Sequence, residues 1–599
     1  MRKLLSGNEA IALGAWEAGV KYASAYPGTP STEILENLFG YAGLKAEWAS
    51  NEKVALDAAA GAALVGARAL AAMKHVGLNV AADTFFSLSY TGVKAGLMIV
   101  SADDPGTFSS QNEQDNRQYA RFAKVPCLEP SNSQEAKDFV AVALDLSEKF
   151  DTPVLLRSTT RLSHSKTPVE VSIPQARAEG ENGHLTFPDN PQKYVIIPAH
   201  ARQLHPVVEE RIRRLAEWAE TASINRLDWG DRRIGIVTTG MAYQYAREVF
   251  GDVSYLKLGM SYPLPMGLIR QLREGVEKLI VVEELDPFFE EQIKAAGIRV
   301  DAGKGIFPMT GELTAPIVRK AAAQANLIEA PAPSEPTPVN LDLPHRPPAL
   351  CPGCPHRSVF YALAKQRLKV SGDIGCYSIG VLPPFNAMDT ILSMGAGLGM
   401  AHGMGQAGVE EKFVAVIGDS TFFHTGLPAL ANTVYNDGVV TTIVLDNYTT
   451  GMTGGQENPG ARIQIEPVVR ALGVKHVWTV DAYDQKGVEK AIKEAVAIKD
   501  EPTVVVVHGS CVLLKTYSPK PVVEVDAEAC TACSVCFRVG CPAILKSEEI
   551  YPKNGKNKAI IDPLMCVGCD ICLQVCPFHA IYKTRAGLMA DEAEAEMAG

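Results

Sequence analysis

Phe413-Val-Ala-Val-Ile-Gly-Asp-Ser420 and Thr441-Thr-Ile-Val-Leu-Asp-Asn447 are the stretches from which this chain is read. Phe413–Ile417 is a short continuous apolar run, the pattern of a strand buried on both faces of a parallel sheet. Thr441–Leu445 is a second such run, and 426–436 between them suits a helix. Strand, helix and strand make a β-α-β unit, with a right-handed crossover expected. Asp419 directly follows the first strand, and Asp446 and Asn447 follow the second. Ligands of open parallel sheets sit beyond the carboxyl ends of the strands. An aspartate and an asparagine meeting there are hard oxygen donors, suited to a Mg²⁺ that bridges protein to a phosphate.

Gly418-Asp419-Ser420 with Asn447 following 28 positions after the aspartate resembles the thiamine diphosphate signature, usually Gly-Asp-Gly and then Asn. The third residue departs from it, being Ser420. The resemblance implies that Asp419, Asn447 and the backbone carbonyl of Thr449 hold the Mg²⁺ that clamps the diphosphate. Upstream, Met394-Gly-Ala-Gly-Leu-Gly399 opens a Gly/Ala-rich helix. Amides there, Gly395 among them, could meet the diphosphate; close helix packing is an equal reading.

At 599 residues the chain has room for about four domains. The net charge of −11 argues against nucleic acid as the main partner. No run approaches the ~20 apolar residues of a membrane helix. Met1-Arg-Lys-Leu-Leu-Ser-Gly-Asn-Glu has no sustained apolar core like that of a signal peptide, so a cytoplasmic location is expected. Eight of the 13 cysteines lie between 530 and 576, which favours metal binding over a disulfide framework.

In chain order, 1–165 reads as an α/β domain. Ser6 or Asn8 can cap its first helix, and Tyr22–Tyr26 is a short strand. Pro27-Gly-Thr29-Pro-Ser-Thr-Glu33 then turns into a helix whose free amides attract anions, so Thr29 is a candidate substrate residue. Ala46-Glu-Trp-Ala-Ser-Asn-Glu52 precedes an Ala-rich helix at Ala55–Ala67, and Lys74-His75-Val-Gly-Leu-Asn79 reads as a loop. Glu52 is either a capping carboxylate or a buried functional one; His75 is either an ordinary polar residue or a substrate contact. Residues 166–230 read as a connector with a helix around Val207–Thr221, and 231–327 as another α/β unit with strands at Ile234–Thr238 and Leu279–Glu283. A proline-rich stretch, 328–349, reads as a stiff linker. The diphosphate domain occupies 350–520, a ferredoxin-like domain 521–585 and an acidic tail 586–599.

Cys530-x₂-Cys533-x₂-Cys536-x₄-Cys541-Pro and Cys566-x₂-Cys569-x₂-Cys572-x₃-Cys576-Pro fill the ferredoxin-like stretch. The second run matches the bacterial ferredoxin pattern, in which the fourth cysteine serves the other cluster. That rule assigns Cys530, Cys533, Cys536 and Cys576 to one [4Fe–4S] cluster and Cys541, Cys566, Cys569 and Cys572 to a second. Zinc ribbons are not expected to carry paired Cys-Pro endings.

Across nearly its whole length the chain resembles the 2-oxoacid:ferredoxin oxidoreductases. The resemblance is carried by Tyr26-Pro-Gly-Thr-Pro-Ser-Thr32, Cys351-Pro-Gly-Cys-Pro-His356, Thr450-Gly-Met-Thr-Gly-Gly455 and the fused ferredoxin with its irregular first run. It implies several doubly wound parallel-sheet domains of the thiamine diphosphate-binding fold. The pyrimidine-binding one comes first, a transketolase C-terminal-like one lies at 231–327, and a small α+β two-cluster ferredoxin domain closes the chain. It implies that Glu52 hydrogen-bonds N1′ of the aminopyrimidine. The reaction implied is oxidative decarboxylation of aryl 2-oxoacids such as indolepyruvate, with coenzyme A as co-substrate, an acyl-CoA product and electrons passed to an external ferredoxin. The partner implied is a smaller beta subunit in a hetero-oligomer. Relatives place a third [4Fe–4S] cluster at positions matching Cys351, Cys354, Cys376 and Cys511; small buried thiols are the alternative. Two other functions stay open: an electron carrier without thiamine, against which Glu52, Asp419 and Asn447 weigh, and a non-oxidative decarboxylase, against which the ferredoxin runs weigh.

Overall fold

The computed structural model describes residues 1–172, 185–187, 189–329, 343 and 346–584. Most of the expected linker and the whole expected tail therefore lie outside the described residues. The chain forms two compact units, Met1–Val339 and Asn340–Gly599.

The first unit is built on a seven-stranded sheet. Its order is Met260–Tyr262, Cys127–Leu128, Val154–Thr159, Leu97–Asp103, Ala69–Lys74, Tyr22–Ala25 and Lys45–Trp48. All neighbours are parallel except Met260–Tyr262, which runs antiparallel to Cys127–Leu128. Alternate side chains feed two separate cores, as the two-residue period of a strand requires. Leu70 and Ala72 pack under the helices Gly7–Glu17 and Ser133–Phe150, while Ala69, Ala71 and Met73 pack under Glu52–Val65 and His75–Thr91. The sheet is thus doubly wound. Ser6 caps the first helix through a capping box with Glu9, which decides between the two candidate caps.

The described parts of the expected connector 166–230 are built into their neighbours. Lys166–Glu170 pairs antiparallel with Arg2–Ser6, and Arg226–Asp228 pairs with Val253–Leu258. The helix Pro198–Thr221 buries Leu215 and Ala219 in the first domain's core. The next α/β layer holds Lys278–Val282, Asp231–Thr239 and Val253–Leu258 in parallel. It lends Met260–Tyr262 to the seven-stranded sheet, so the expected boundary at 231 is not a packing boundary.

The second unit has a five-stranded, wholly parallel sheet in the order Lys369–Ser371, Phe413–Gly418, Thr441–Asp446, Thr503–His508 and His476–Asp481. One face packs on Leu398, Phe422, Leu430 and Val469. The other face, with Val414, Val416, Ile443 and Val505, shares one apolar core with Val523, Ile544, Ile561, Ile571 and Ile581 of the ferredoxin-like segment. That segment is made of two antiparallel ribbons, Val523–Val525 with Ile581–Lys583 and Ile544–Tyr551 with Lys556–Ile561. The ferredoxin-like domain is therefore welded to the sheet rather than tethered to it. Fully burying each such aliphatic side chain contributes about 1.5–3 kcal/mol.

Candidate cofactor and cluster sites

The parallel register sets Gly418 opposite Leu445, so Asp419, Asp446 and Asn447 emerge side by side at the carboxyl ends of their strands. All three are buried. Asn458 Nδ2 donates to Asp419 at 3.1 Å. His508 Nδ1 lies 2.8 Å from the Asp446 carboxylate, and the Tyr448 amide donates to the same group at 3.1 Å. The Thr449 amide donates to Asn447 Oδ1 at 3.3 Å. Burial, and then the neighbouring Asp446 charge, push the Asp419 carboxyl well above the usual range. Two buried carboxylates side by side, with an amide and a carbonyl, form a hard oxygen set that fits Mg²⁺. Gly418 is required because a Cβ there would lie 2.7 Å from the Tyr377 ring.

One expected group is used otherwise. The Gly395 amide donates to Asp373 at 2.7 Å and the Gly397 amide to the same carboxylate at 2.9 Å. Asp373 thus takes the amides at the start of the helix Ala396–Gln406, and Gly395 does not offer its N–H to a diphosphate. A buried aspartate is a nearer acceptor than any ligand, and its place in Gly372-Asp-Ile-Gly375 was the signal available. Asn458, in an Asn-Pro-Gly turn, was also unforeseen.

In the first unit Glu52 opens its helix behind Asn51, whose side chain caps the Val54 amide at 2.9 Å. Glu52 is buried, and a Cβ on Gly77 would lie 2.7 Å from its carboxylate. The glycine clears the space that the carboxylate fills. Thr29 is half-buried at the turn after its strand, and its carbonyl accepts from Ser109 Oγ at 3.4 Å. His75 differs from expectation. It starts a helix rather than a loop, is fully buried, and sets Nε2 3.2 Å from the Asn112 carbonyl. Its Nδ1 is buried with no hydrogen-bond partner among the described residues. Its neighbour Lys74 reaches the partly open strand end and donates to the Ser109 carbonyl at 2.5 Å. Burial brings the Lys74 ammonium down to about 8.

The ferredoxin cysteines line two cavities. One is lined by Cys530, Cys533, Cys536 and Cys576. The other is lined by Cys541, Cys566, Cys569 and Cys572. The crossed fourth cysteine is thus present in the tertiary arrangement, and the extra residue before Cys541 does not disturb it. Cys533 is exposed beside the first, outer cavity; the second, inner one also borders Pro352, Gly353 and Arg357. Cys351, Cys354, Cys376 and Cys511 come close enough to act on one another: Cys351 and Cys511 raise the Cys376 thiol, and Cys376 and Cys351 raise that of Cys354. Burial is the larger cause, pushing Cys376 up to about 11 and Cys354 up to about 12. The Cys511 amide donates to the Asn447 carbonyl at 3.2 Å, which ties this group to the oxygen site.

These sites define a thiamine diphosphate enzyme with an integral iron–sulfur domain. Family profiles agree on each part. The pyruvate flavodoxin/ferredoxin oxidoreductase thiamine diphosphate-binding domain matches residues 13–210, the C-terminal thiamine pyrophosphate-binding domain 373–507, and the 4Fe-4S binding domain 559–582. An indolepyruvate oxidoreductase subunit IorA from Pyrococcus horikoshii is 42% identical over 98% of this chain and 97% of its own. One from Methanothermobacter thermautotrophicus is 43% identical over 96% of each chain, and one from Archaeoglobus fulgidus 39% over 97% of each. The chain belongs to the indolepyruvate oxidoreductase IorA family, within the 2-oxoacid:ferredoxin oxidoreductases. Among the described residues no helix is long and apolar enough to cross a membrane.

Proposed function

We propose that this chain is the catalytic subunit for oxidative decarboxylation of aryl 2-oxoacids of the indolepyruvate type to aryl-acetyl-CoA, with electrons leaving to an external ferredoxin. The observation that carries this is the joining, in one packed unit, of the Asp419–Asn447 oxygen site and two four-cysteine cavities. The names of its relatives, each a subunit of an indolepyruvate oxidoreductase, support the aryl substrate and a further subunit as partner.

Thiamine diphosphate, when bound, supplies the carbanion chemistry at the substrate carbonyl. This chain's residues do the rest. Asp419, Asn447 and the Thr449 carbonyl would hold its Mg²⁺. Glu52, in the space left by Gly77, would hold the aminopyrimidine N1′ through a carboxylate hydrogen bond. Thr29 and Lys74, at the open strand ends of the same sheet, would meet the substrate carboxylate. Cys530, Cys533, Cys536 and Cys576 would ligate the outer [4Fe–4S] cluster; Cys541, Cys566, Cys569 and Cys572 would ligate the inner one. Cys351, Cys354, Cys376 and Cys511 would ligate a third beside the Mg²⁺ ligands. Cys533, being exposed, puts the outer cluster where ferredoxin can reach it.

The test is anaerobic purification with the small subunit, followed by parallel assays on indolepyruvate, phenylpyruvate and pyruvate with coenzyme A. Expected are acyl-CoA product, preference for the aryl acids and about twelve iron atoms per chain. Asp419→Ala should keep the iron and lose thiamine diphosphate. An aldehyde product, equal use of pyruvate, or thiamine diphosphate retained by Asp419→Ala would each overturn the part it addresses; about eight iron atoms would remove the third cluster.

A further inference from the structure

Arg357 follows Cys351-Pro-Gly-Cys354-Pro-His356 on the helix His356–Gln366 and is fully buried. Every hydrogen bond it makes goes to backbone. Nε donates to the Cys351 carbonyl at 3.1 Å, and Nη2 to the same carbonyl at 2.8 Å and to that of Leu350. Nη1 donates to the Val539 carbonyl at 3.2 Å and to that of Gly540. Among the described residues no carboxylate pairs with it. The titratable groups nearest it are Cys541, Cys354, Cys569 and Cys351, and burial pulls the guanidinium below its usual range.

A charge taken wholly out of water is costly unless an opposite charge compensates it, because carbonyl dipoles alone recover only part of the hydration energy. A guanidinium that nothing neutralises is therefore matched to an anion the polypeptide itself does not supply. Arg357 lines the inner cavity together with Cys541, Cys566, Cys569 and Cys572. A cube held by four thiolates is such an anion, and each electron it accepts adds one further negative charge. The approach is close by construction: Gly353 adopts φ +68°, and a Cβ there would lie 2.1 Å from the Val567 side chain. That glycine lets the Cys351–Cys354 turn, and Arg357 behind it, seat directly on the ferredoxin loops.

We propose that Arg357 is the fixed counter-charge of the inner cluster, a positioning residue that raises its reduction potential and so favours electron entry from the oxidation site. The same guanidinium clamps the Cys351 turn to the Val539–Gly540 loop that precedes Cys541. The proposal rests on the inner cluster of the proposed function and on no third cluster.

The test is a redox titration followed by EPR on the anaerobic, reconstituted two-subunit enzyme, comparing wild type with Arg357→Met and Arg357→Lys, with iron counted in each. In Arg357→Met the potential of one couple should fall by at least about 59 mV, a tenfold rise in its oxidised-to-reduced ratio at fixed ambient potential for a one-electron couple. Arg357→Lys should hold that couple near wild type, and the outer couple should stay in both variants. Iron lost from Arg357→Met but kept, at wild-type potential, by Arg357→Lys also supports the proposal. Unchanged potentials in an iron-replete Arg357→Met protein overturn it, as do a Lys variant that falls as far as the Met one, or iron lost from both. Wild-type iron below about eight atoms would instead defeat the two-cluster reading.

Discussion

Arg117 and Arg157 of the first unit and Arg357 of the second are buried in opposite ways. In the first, Arg117 and Arg157 lie among carboxylates. Arg117 Nη1 donates to Glu283 at 2.9 Å and pairs with Asp115, with Phe288 and Phe289 each stacked 5.0 Å from its guanidinium. Arg157 Nε donates to Asp103 at 2.6 Å and Nη1 to Glu129 at 3.1 Å. In the second, Arg357 has carbonyls and cysteines only. A buried cation already neutralised is a staple: it joins the first sheet to the layer that carries Glu283. Arg357, with no carboxylate, instead borders the cavity lined by Cys541, Cys566, Cys569 and Cys572. The difference separates structural charge from functional charge more sharply than burial does, since Arg117 and Arg357 are equally buried.

The comparison is broken most directly by Arg157→Met. It leaves the buried Asp103 without its paired cation and Glu129 with only Arg117, so the first unit should lose about 3–5 kcal/mol, read by denaturant unfolding. The iron content and EPR potentials of the second unit should be untouched. A loss below about 1 kcal/mol would mean that the network is not a staple.

A smaller effect comes from the excess of carboxylates around those arginines. Burial pushes the Glu284 carboxyl up to about 7, against the Leu313 amide that donates to it at 2.8 Å. Its folded pKa exceeds the unfolded one, so the folded state binds more protons. The contribution is therefore full below about pH 4.5 and is lost as pH rises through about 7. Glu284→Gln keeps the shape without the charge. Its stability relative to wild type should rise between pH 5 and 8, by on the order of 1–3 kcal/mol. A difference that is flat with pH would show that Glu284 does not titrate there.

The smallest effect belongs to an ion pair that is neither staple nor counter-charge. Arg2 and Glu170 meet at 3.0 Å, both mostly exposed. Arg2→Ala should cost about 0–1 kcal/mol and less in high salt, read by thermal unfolding. A larger, salt-insensitive loss would show that burial does not set the scale of these pairs.

The two cysteine runs, the Gly418-Asp-Ser motif and the apolar strands around it were legible as sequence. In each, the chemistry sits within a few residues, and spacing along the chain sets local geometry. The strands read as Phe413–Ile417 and Thr441–Leu445 end one residue later, at Gly418 and Asp446. The candidate carboxylate Glu52 was legible as a residue, but the glycine that makes its space lies 25 positions away. The tertiary structure alone decided the rest. It gave the Gly395 amide to Asp373, enclosed His75, paired Lys166–Glu170 and Arg226–Asp228 with neighbouring strands, and brought Arg117 to a glutamate 166 residues away. Whether a polar group is already satisfied depends on which distant backbone or charge packs against it. No local spacing encodes that, which is why Arg357, an ordinary arginine in the sequence, stands out only once its neighbours are known.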